Sequence, residues 1–200
     1  MTELLEKRPN AMRGEYYHTK ESVEEYIKAA EGHSGLSLIE KLRKFLPSGS
    51  SILELGTGPG TDWRILRSDY NVVGSDNSME FLKHLASKEP DAEFLELDAA
   101  TILTDKHFDG IYSNKVMHHL SDEDLQKSFQ RQAEVLNPGG VVCHSFWRGE
   151  GSEHFKGMFV NYHQEEDLAS YFGDLFEVLL MELYPEFEPD DSVLLIGRKR

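Results

Sequence analysis

A glycine-rich loop that follows an apolar run is the strongest chemical signal in the sequence. The run at 51–56, SILELG, leads directly into Gly56, Thr57, Gly58, Pro59 and Gly60. Glycine permits positive φ and lets a bulky ligand approach the backbone just beyond the end of a strand. A tight turn without a ligand is the alternative interpretation. We therefore expect a ligand to lie across residues 56–60.

Two further features narrow the ligand type. A dinucleotide loop has the pattern Gly-x-Gly-x-x-Gly, which seats a pyrophosphate on the N-terminus of the following helix. Here Gly60 comes one residue too early for that pattern. Asp76 ends the next apolar run, 20 residues after Gly56, where a carboxylate can accept hydrogen bonds from both hydroxyls of a ribose. The spacing indicates an adenosine-type ligand without choosing between cofactors.

Several linked motifs resemble one family. Glu-Leu-Gly-Thr-Gly-Pro-Gly at 54–60 resembles motif I of the class I S-adenosylmethionine-dependent methyltransferases, and Asp98-Ala99 in LELDA matches the family's adenine position. FDGIYSNKVMHHLSD and VLNPGGVV resemble its motifs at the fourth and fifth strands, so that the likeness covers about residues 40–147. The resemblance implies an S-adenosylmethionine cofactor and a set of cofactor-binding residues, namely Glu54, Gly56, Thr57, Gly58, Gly60, Asp76, Asn77, Asp98, Ala99, Ser113 and Asn114.

The resemblance also bears on catalysis. A sulfonium methyl group is already primed for transfer, so the protein has mainly to hold the acceptor in line with it. A general base is needed only for a hydroxyl or a protonated amine. We predict His118, His119 and Tyr17 as catalytic residues, with His144 a further candidate base; purely structural roles for the three histidines are the alternative. Tyr17 lies in a segment, 10–22, that we expect to cover the site.

The acceptor is predicted to be a small molecule that is partly apolar or cationic, because aromatic residues flank the expected site. Phe155 and Phe159 could instead belong to the core, since they are four residues apart, as on one face of a helix. The candidate pocket residues are Tyr16, Tyr17, His18, Trp147, Phe155, Phe159, Tyr162 and His163.

Charge and composition limit the partners. The formal net charge is −15, and all of the excess follows residue 50, because residues 1–50 hold equal numbers of acidic and basic residues. Such a surface repels phosphate backbones, so no nucleic-acid partner is expected. No run of 18 apolar residues is present, which predicts no membrane partner and a cytoplasmic location. The sequence suggests no metal site, predicts an inert buried thiol at Cys143, and leaves the acceptor and the oligomeric state open.

The elements that must position these residues alternate between strand and helix types. This pattern predicts an α/β fold, a Rossmann-like seven-stranded, mostly parallel sheet with helices on both faces and the last strand antiparallel. We expect a helical N-terminal extension or lid at 1–47 and a methyltransferase domain at 48–200. The predicted strands are 51–56, 71–76, 92–98, 108–114, 141–147, 176–183 and 192–197.

The helices should run over 21–46, through Trp63 to Leu66, after an Asn77 cap, from Ser121 to the Asn-Pro-Gly-Gly at 137–140, and over 165–172. His163 is an unusual residue before this last helix, which leaves the start of the helix open.

The sequence leaves three alternatives open. An NAD- or NADP-dependent oxidoreductase is opposed by the early Gly60 and by Asp98. A polyamine synthase, which uses decarboxylated S-adenosylmethionine, would be expected to have paired aspartates near strand four, where this chain has Ser113 and Asn114. A non-catalytic S-adenosylmethionine-binding partner of another enzyme is compatible with every motif. Nucleic-acid and protein-amide methyltransferases with an Asn-Pro-Pro-aromatic motif are disfavoured, because Lys115 follows Asn114.

Overall fold

The computed structural model describes residues 15–200, in which helices and strands alternate as expected for a parallel sheet crossed by helices. The helices of this part are α1 (Lys20–Ala29), α2 (Leu36–Leu42), α3 (Thr61–Leu66), α4 (Met79–Lys88), α5 (Asp122–Val135) and α6 (Glu165–Phe172). The strands are β1 (Ser51–Leu55), β2 (Asn71–Asp76), β3 (Phe94–Glu96), β4 (Phe108–Asn114), β5 (Leu136–Trp147), β6 (Ser152–Phe155), β7 (Met158–Asn161), β8 (Phe176–Tyr184) and β9 (Ser192–Lys199). Short 3-10 turns lie at Glu15–His18 and Met117–His119.

Seven strands form one sheet in the order β3-β2-β1-β4-β5-β9-β8. The pairs from β3 to β5 are parallel, whereas β9 is antiparallel to both of its neighbours. The predicted fold class is therefore confirmed. The strand order reverses between β1 and β4, and open α/β sheets bind ligands beyond the carboxyl ends of the strands at such a point.

Apolar side chains fill both faces of the sheet. On one face, Leu38 and Ile39 of α2 pack with Ile52 of β1, and on the other, Phe129 of α5 packs with Phe172 of α6. Helices thus cover both faces, as predicted. Helix α2 therefore shares a buried core with β1.

Several boundaries differ from the predictions. The predicted Asn77 cap of α4 is wrong: Ser78 is the N-cap, and its hydroxyl accepts a hydrogen bond from the Phe81 amide at 3.3 Å. Strand β5 begins at Leu136 rather than at 141, so α5 ends before the Asn-Pro-Gly-Gly sequence. Strand β3 is only three residues long. The cap of α6 is Gln164, which forms a reciprocal capping box with Asp167.

An antiparallel hairpin of β6 and β7 forms in the segment after β5, so Phe155 and Phe159 do not share one face of a helix. Its two-residue turn, Lys156-Gly157, has positive φ at both positions (50° and 78°), which matches the twist of the strands it joins. Phe155 is 56% exposed and so is not a core residue. Phe159 faces His154 across the ladder.

The predicted helical stretch 21–46 is divided in two. Helix α1 ends at Ala29, and a glycine with φ of 85° at Gly32 interrupts the helical path before α2. Within residues 15–200, no helix is long and apolar enough to cross a membrane.

Candidate active site

Two adjoining cavities open at the carboxyl edge of the sheet, where β1 and β4 separate. The first comprises about 720 Å³ of empty space and the second about 1270 Å³, and each figure includes space that is open to solvent. Residues common to both walls make the cavities neighbouring parts of one groove; these are Tyr26, Gly56, Gly58, Asn114 and Lys115.

Gly56 and Gly58 of the glycine loop line this groove, and both have a positive φ, which favours glycine. Gly56 has φ of 68°, and a Cβ there would collide with the side chain of Val116. Gly58 has φ of 51° and lies against open space, where a Cβ would come no nearer than 4.0 Å to a neighbouring atom. Gly60 lines neither cavity; its φ of 78° begins α3, and a Cβ would meet Leu85 at 2.5 Å.

Asp76 ties this loop to the start of α4. One carboxylate oxygen accepts the Gly58 amide at 2.9 Å, and the other accepts the Ser78 amide at 2.8 Å. Burial raises the pKa of Asp76, and these two amide donors offset part of that rise. The carboxylate lines the first cavity, so its remaining lone pairs are available to a ligand there.

Asp98 and Ala99 line the same cavity as Asp76. The Asp98 carboxylate accepts the amide of Ala100 at 2.7 Å, which fixes the turn after β3. The Ala99 carbonyl accepts the hydroxyl of Ser128 at 2.6 Å. Asn77 also lines this cavity. The structure thus brings the predicted ribose and adenine residues to one cavity.

Glu54 lines the second cavity from the end of β1. Its side chain is 2% exposed, and one carboxyl oxygen has no hydrogen-bond partner. Burial, followed by the negative charge of Asp62, holds the pKa of Glu54 well above its usual range, although a hydrogen bond from Thr57 opposes this. A buried carboxyl oxygen without a partner can bind a cation or accept a hydrogen bond from a ligand. Thr57 itself accepts the Ser75 amide at 2.9 Å.

Asp62 is a site residue that the sequence analysis missed. It is 8% exposed and accepts three hydrogen bonds, from the Gly35 amide (2.7 Å), the Tyr112 hydroxyl (2.7 Å) and the Asn114 side chain (3.1 Å). Asn114 in turn accepts the hydroxyl of Ser145 at 2.6 Å. An acidic residue in the first turn of a helix normally interacts favourably with the helix dipole. The position of Asp62 in the sequence therefore does not show that it joins three separate segments.

Ser113 does not line either cavity. Its hydroxyl bonds to Nδ1 of His144 at 2.8 Å, and Nε2 of that ring bonds to Gln132 at 2.8 Å. Gln132 donates to Ser128, whose hydroxyl reaches the Ala99 carbonyl. His144 is fully buried, and burial lowers its pKa to about 3. This row of polar groups runs through the core behind the cavity and does not enter it.

The three predicted catalytic residues lie in different surroundings. Tyr17 and His119 line the first cavity, with ring centroids 6.4 Å apart. His119 donates from Nδ1 to the Phe159 carbonyl at 2.8 Å, which leaves Nε2 as the acceptor of the neutral ring. Burial lowers the pKa of His119 and raises that of Tyr17, so both are neutral near pH 7. His118 is 4% exposed and lines neither cavity.

Lys115 is a second residue that the sequence analysis did not single out. It has φ of 54°, and its ammonium donates to the Phe146 carbonyl (3.0 Å) and the Ser192 hydroxyl (2.6 Å). The same nitrogen lies 3.5 Å from the centroid of the Trp147 ring. Burial lowers the pKa of Lys115 to about 7. Nothing in the local sequence indicates this burial, because the strands around it come from distant parts of the chain.

Comparisons with known proteins agree with this geometry. Residues 52–140 match the model of a family described as a methyltransferase domain. A trans-aconitate 2-methyltransferase of Afipia carboxidovorans is 26% identical over an alignment of 127 residues, which covers 61% of this chain and 48% of that protein. A mouse tRNA (carboxymethyluridine(34)-5-O)-methyltransferase is 24% identical over an alignment of 204 residues, which covers 97% of this chain and 30% of that protein. The chain therefore spans less than half the length of these two relatives.

A solved structure is similar in fold over nearly the whole chain. It is the 1,6-didemethyltoxoflavin-N1-methyltransferase of Burkholderia thailandensis, with a TM-score of 0.75 and 17% identity, covering 96% of this chain and 92% of that one. That protein was crystallised with 1,6-didemethyltoxoflavin and S-adenosylhomocysteine. The oxidoreductase alternative is not favoured by any of these matches. Residues 52–140 therefore match a methyltransferase-domain model, and the chain shares the fold of the methyltransferases among its structural neighbours.

Proposed function

We propose that this chain transfers a methyl group from S-adenosylmethionine to a small molecule. The observation that supports this most directly is the Asp76 carboxylate, which is held between the amides of Gly58 and Ser78 on the wall of a cavity. Asp98 lines the same cavity, where its carboxylate can accept a hydrogen bond from the amino group of an adenine. Together these groups suit a nucleoside.

The second cavity suits the remainder of such a cofactor. Glu54 has an unpartnered buried oxygen there, which would pair with the ammonium of a methionyl group. Gly56 and Gly58 would allow the chain of the ligand to pass against the backbone. When bound, the cofactor supplies a methyl group on a sulfonium, and the residues of this chain have to bind it, orient it and exclude water.

Aromatic side chains would exclude water from the nucleoside end. The ring of Tyr17 packs edge-on against Tyr26, with centroids 5.2 Å apart, and lies tilted against Phe81, with centroids 5.8 Å apart. The backbone carbonyl of Tyr17 accepts a hydrogen bond from the Ser78 hydroxyl. His119, with Nε2 as its acceptor, is the candidate base that lines the cavity. A base is required only when the acceptor atom carries a proton.

Cofactor binding is tested by calorimetry and by thermal shift with S-adenosylhomocysteine, with NAD and NADP as comparison ligands. A ligand that binds only the native state raises the melting temperature by mass action. We expect a shift with S-adenosylhomocysteine alone. No shift at millimolar concentration would refute the proposal. Binding without transfer of a radiolabelled methyl group to any small molecule or cell extract would favour the non-catalytic alternative.

An RNA acceptor is the second candidate, because the mouse tRNA methyltransferase matches 97% of this chain. The net charge of −15 opposes it, since RNA binding relies on basic surface. Methyl transfer to unfractionated tRNA, measured beside the small-molecule panel, separates the two. Saturable labelling of tRNA at micromolar concentration would replace the small-molecule proposal.

We further propose that the segment before α1 covers the site, as part of a helical extension over 1–47 that precedes the catalytic domain. Residues 10–14 of the predicted cover lie outside the described residues, whereas Tyr17 lies on the wall of the cavity. Deleting residues 1–19 should preserve the fold and measurable cofactor binding but remove most methyl transfer. A near-normal rate with a validated acceptor would show that the segment does not act as a lid. The cytoplasmic location stays a prediction.

A further inference from the structure

The mouth of the second cavity carries two exposed aromatic rings from separate parts of the chain. Phe155 belongs to the β6–β7 hairpin and is 56% exposed, and Phe187 belongs to the β8–β9 loop and is 71% exposed. Both line the cavity, as does the ring of Trp147 at the end of β5. Exposed apolar rings that converge on one cavity indicate a binding surface.

The loop that carries Phe187 is built to hold it in place. Asp191 accepts three backbone amides of that loop, from Glu186 (2.8 Å), Phe187 (2.9 Å) and Glu188 (3.0 Å). Burial opposes ionisation of Asp191, but these donors prevail and lower its pKa to about 2. The ring of Phe187 stacks on Trp147 with centroids 5.8 Å apart and planes 23° apart. An ordered loop therefore presents an exposed ring to the cavity.

The charges around this cavity disfavour an anionic ligand. The acidic residues Asp62 and Glu186 line it, and among the described lining residues Lys115 is the one lysine or arginine. The Lys115 ammonium is already engaged by the Phe146 carbonyl, the Ser192 hydroxyl and the Trp147 ring. Aromatic rings combined with carboxylates are the setting that attracts organic cations.

We propose that Trp147, Phe155 and Phe187 form the acceptor subsite of this chain, and that the subsite takes a planar aromatic compound that is neutral or cationic rather than a polycarboxylate. This inference rests on the proposed function, since it names the substrate class of the same groove. It separates this chain from the trans-aconitate methyltransferases among its relatives, whose named substrate is a polycarboxylate.

The test uses the two tryptophans of the chain as reporters. Trp147 lines the cavity, whereas Trp63 lies 2% exposed on α3 and lines neither part of the groove, so its indole signal is an internal control. The full chain is labelled with ¹⁵N-tryptophan, and a Trp147→Phe variant assigns the two signals. Four probes are titrated: quinoline, N-methylquinolinium, quinoline-2-carboxylate and trans-aconitate. The first three share one ring system and differ in charge.

We expect quinoline and N-methylquinolinium to shift the Trp147 signal saturably while Trp63 stays unchanged. Quinoline-2-carboxylate should bind about fivefold more weakly, and trans-aconitate should cause no shift. The Phe187→Ala variant should raise the dissociation constant of both favoured probes about fivefold, and Phe187→Tyr should restore it. Leu103→Ala removes an apolar side chain that is 79% exposed and lines neither cavity, so it should change nothing.

Each titration is run with and without S-adenosylhomocysteine, whose own binding is measured first by calorimetry. Failure of S-adenosylhomocysteine to bind would refute the proposed function and leave the probe titrations readable. Binding of trans-aconitate as tight as that of N-methylquinolinium would overturn the inference. So would unchanged probe affinity in Phe187→Ala.

Discussion

Replacing Asp76 should weaken both the fold and cofactor binding, by amounts that can be measured separately. In Asp76→Ala, the amides of Gly58 and Ser78 lose their acceptor. Ser78 is fully buried, and each unsatisfied buried donor costs about 1–2 kcal/mol. We therefore expect about 2–4 kcal/mol of lost stability, which corresponds to a melting temperature lower by roughly 5–15 °C in a chain of this size.

The affinity loss has a different origin. Hydrogen bonds from ribose hydroxyls to a charged acceptor contribute about 1.5–3 kcal/mol, so the dissociation constant for S-adenosylhomocysteine should rise by roughly 10- to 150-fold. Asp76→Asn should be intermediate in stability, because its amide oxygen can satisfy one of the two backbone donors while its NH₂ group faces the other. Calorimetry at a temperature well below both melting transitions measures affinity on folded protein.

Asp105→Ala provides the control, since Asp105 is an exposed carboxylate that lines neither cavity. It should match the wild type in melting temperature and in affinity. Wild-type affinity in both Asp76 variants would refute the ribose assignment. A wild-type melting temperature in Asp76→Ala would refute the view that this carboxylate holds the loop together.

Three further outcomes are expected. Gly56→Ala should abolish S-adenosylhomocysteine binding, because the new Cβ would collide with the side chain of Val116. In Gly58→Ala the new Cβ collides with nothing, so the variant should lose only about 1 kcal/mol of stability in thermal denaturation, from the strain of its positive φ. The pKa of Glu54 is raised in the free protein, so pairing of this side chain with an ammonium group should release a proton, and the affinity for S-adenosylhomocysteine should rise with pH. Calorimetry in buffers of different ionisation enthalpy measures this proton release, which should be absent in Glu54→Gln. Burial lowers the pKa of His144 from 6.5 to about 3, so the free energy of unfolding should fall by roughly 4–5 kcal/mol between pH 6.5 and pH 3, as measured by urea titration. Equal stability at pH 7 and pH 4 would contradict this.

Local pattern predicts the strands well where turn residues bound an apolar run. Strands β2 and β4 lie at the predicted 71–76 and 108–114 because each apolar run is bounded by polar or turn-forming residues. The β6–β7 hairpin escaped prediction because every residue of β6 is exposed, so it has no alternation of apolar and polar positions. The cap of α4 was misplaced by one residue because Asn77 and Ser78 are both good capping residues, and only the geometry shows which hydroxyl or amide reaches the helix.

The site was predictable where a motif fixes the backbone and unpredictable where distant segments meet. The glycine loop and Asp76 occupy consecutive strand ends, so their meeting follows from the parallel sheet. The burial of Lys115 instead depends on the ends of β5 and β9, which are separated from it by tens of residues in sequence. Phe187 lies in a loop whose shape depends on Asp191, and a single exposed phenylalanine in a polar segment gives no signal of its own.

Asp62 determines how much of the N-terminal region can move over the groove. Its carboxylate joins the Gly35 amide to the Tyr112 hydroxyl, so the start of α2 is bonded to the same group as the centre of the sheet. A Cβ at Gly35 would leave no room for these partners, because it would collide with the Tyr112 hydroxyl. Since α2 is anchored by this contact and by its buried Leu38, any part of the N-terminal region that moves over the groove should lie before Gly35. Tyr17 and Tyr26, which line the groove, both precede Gly35, so the proposed cover carries two of the aromatic rings of the cavity wall.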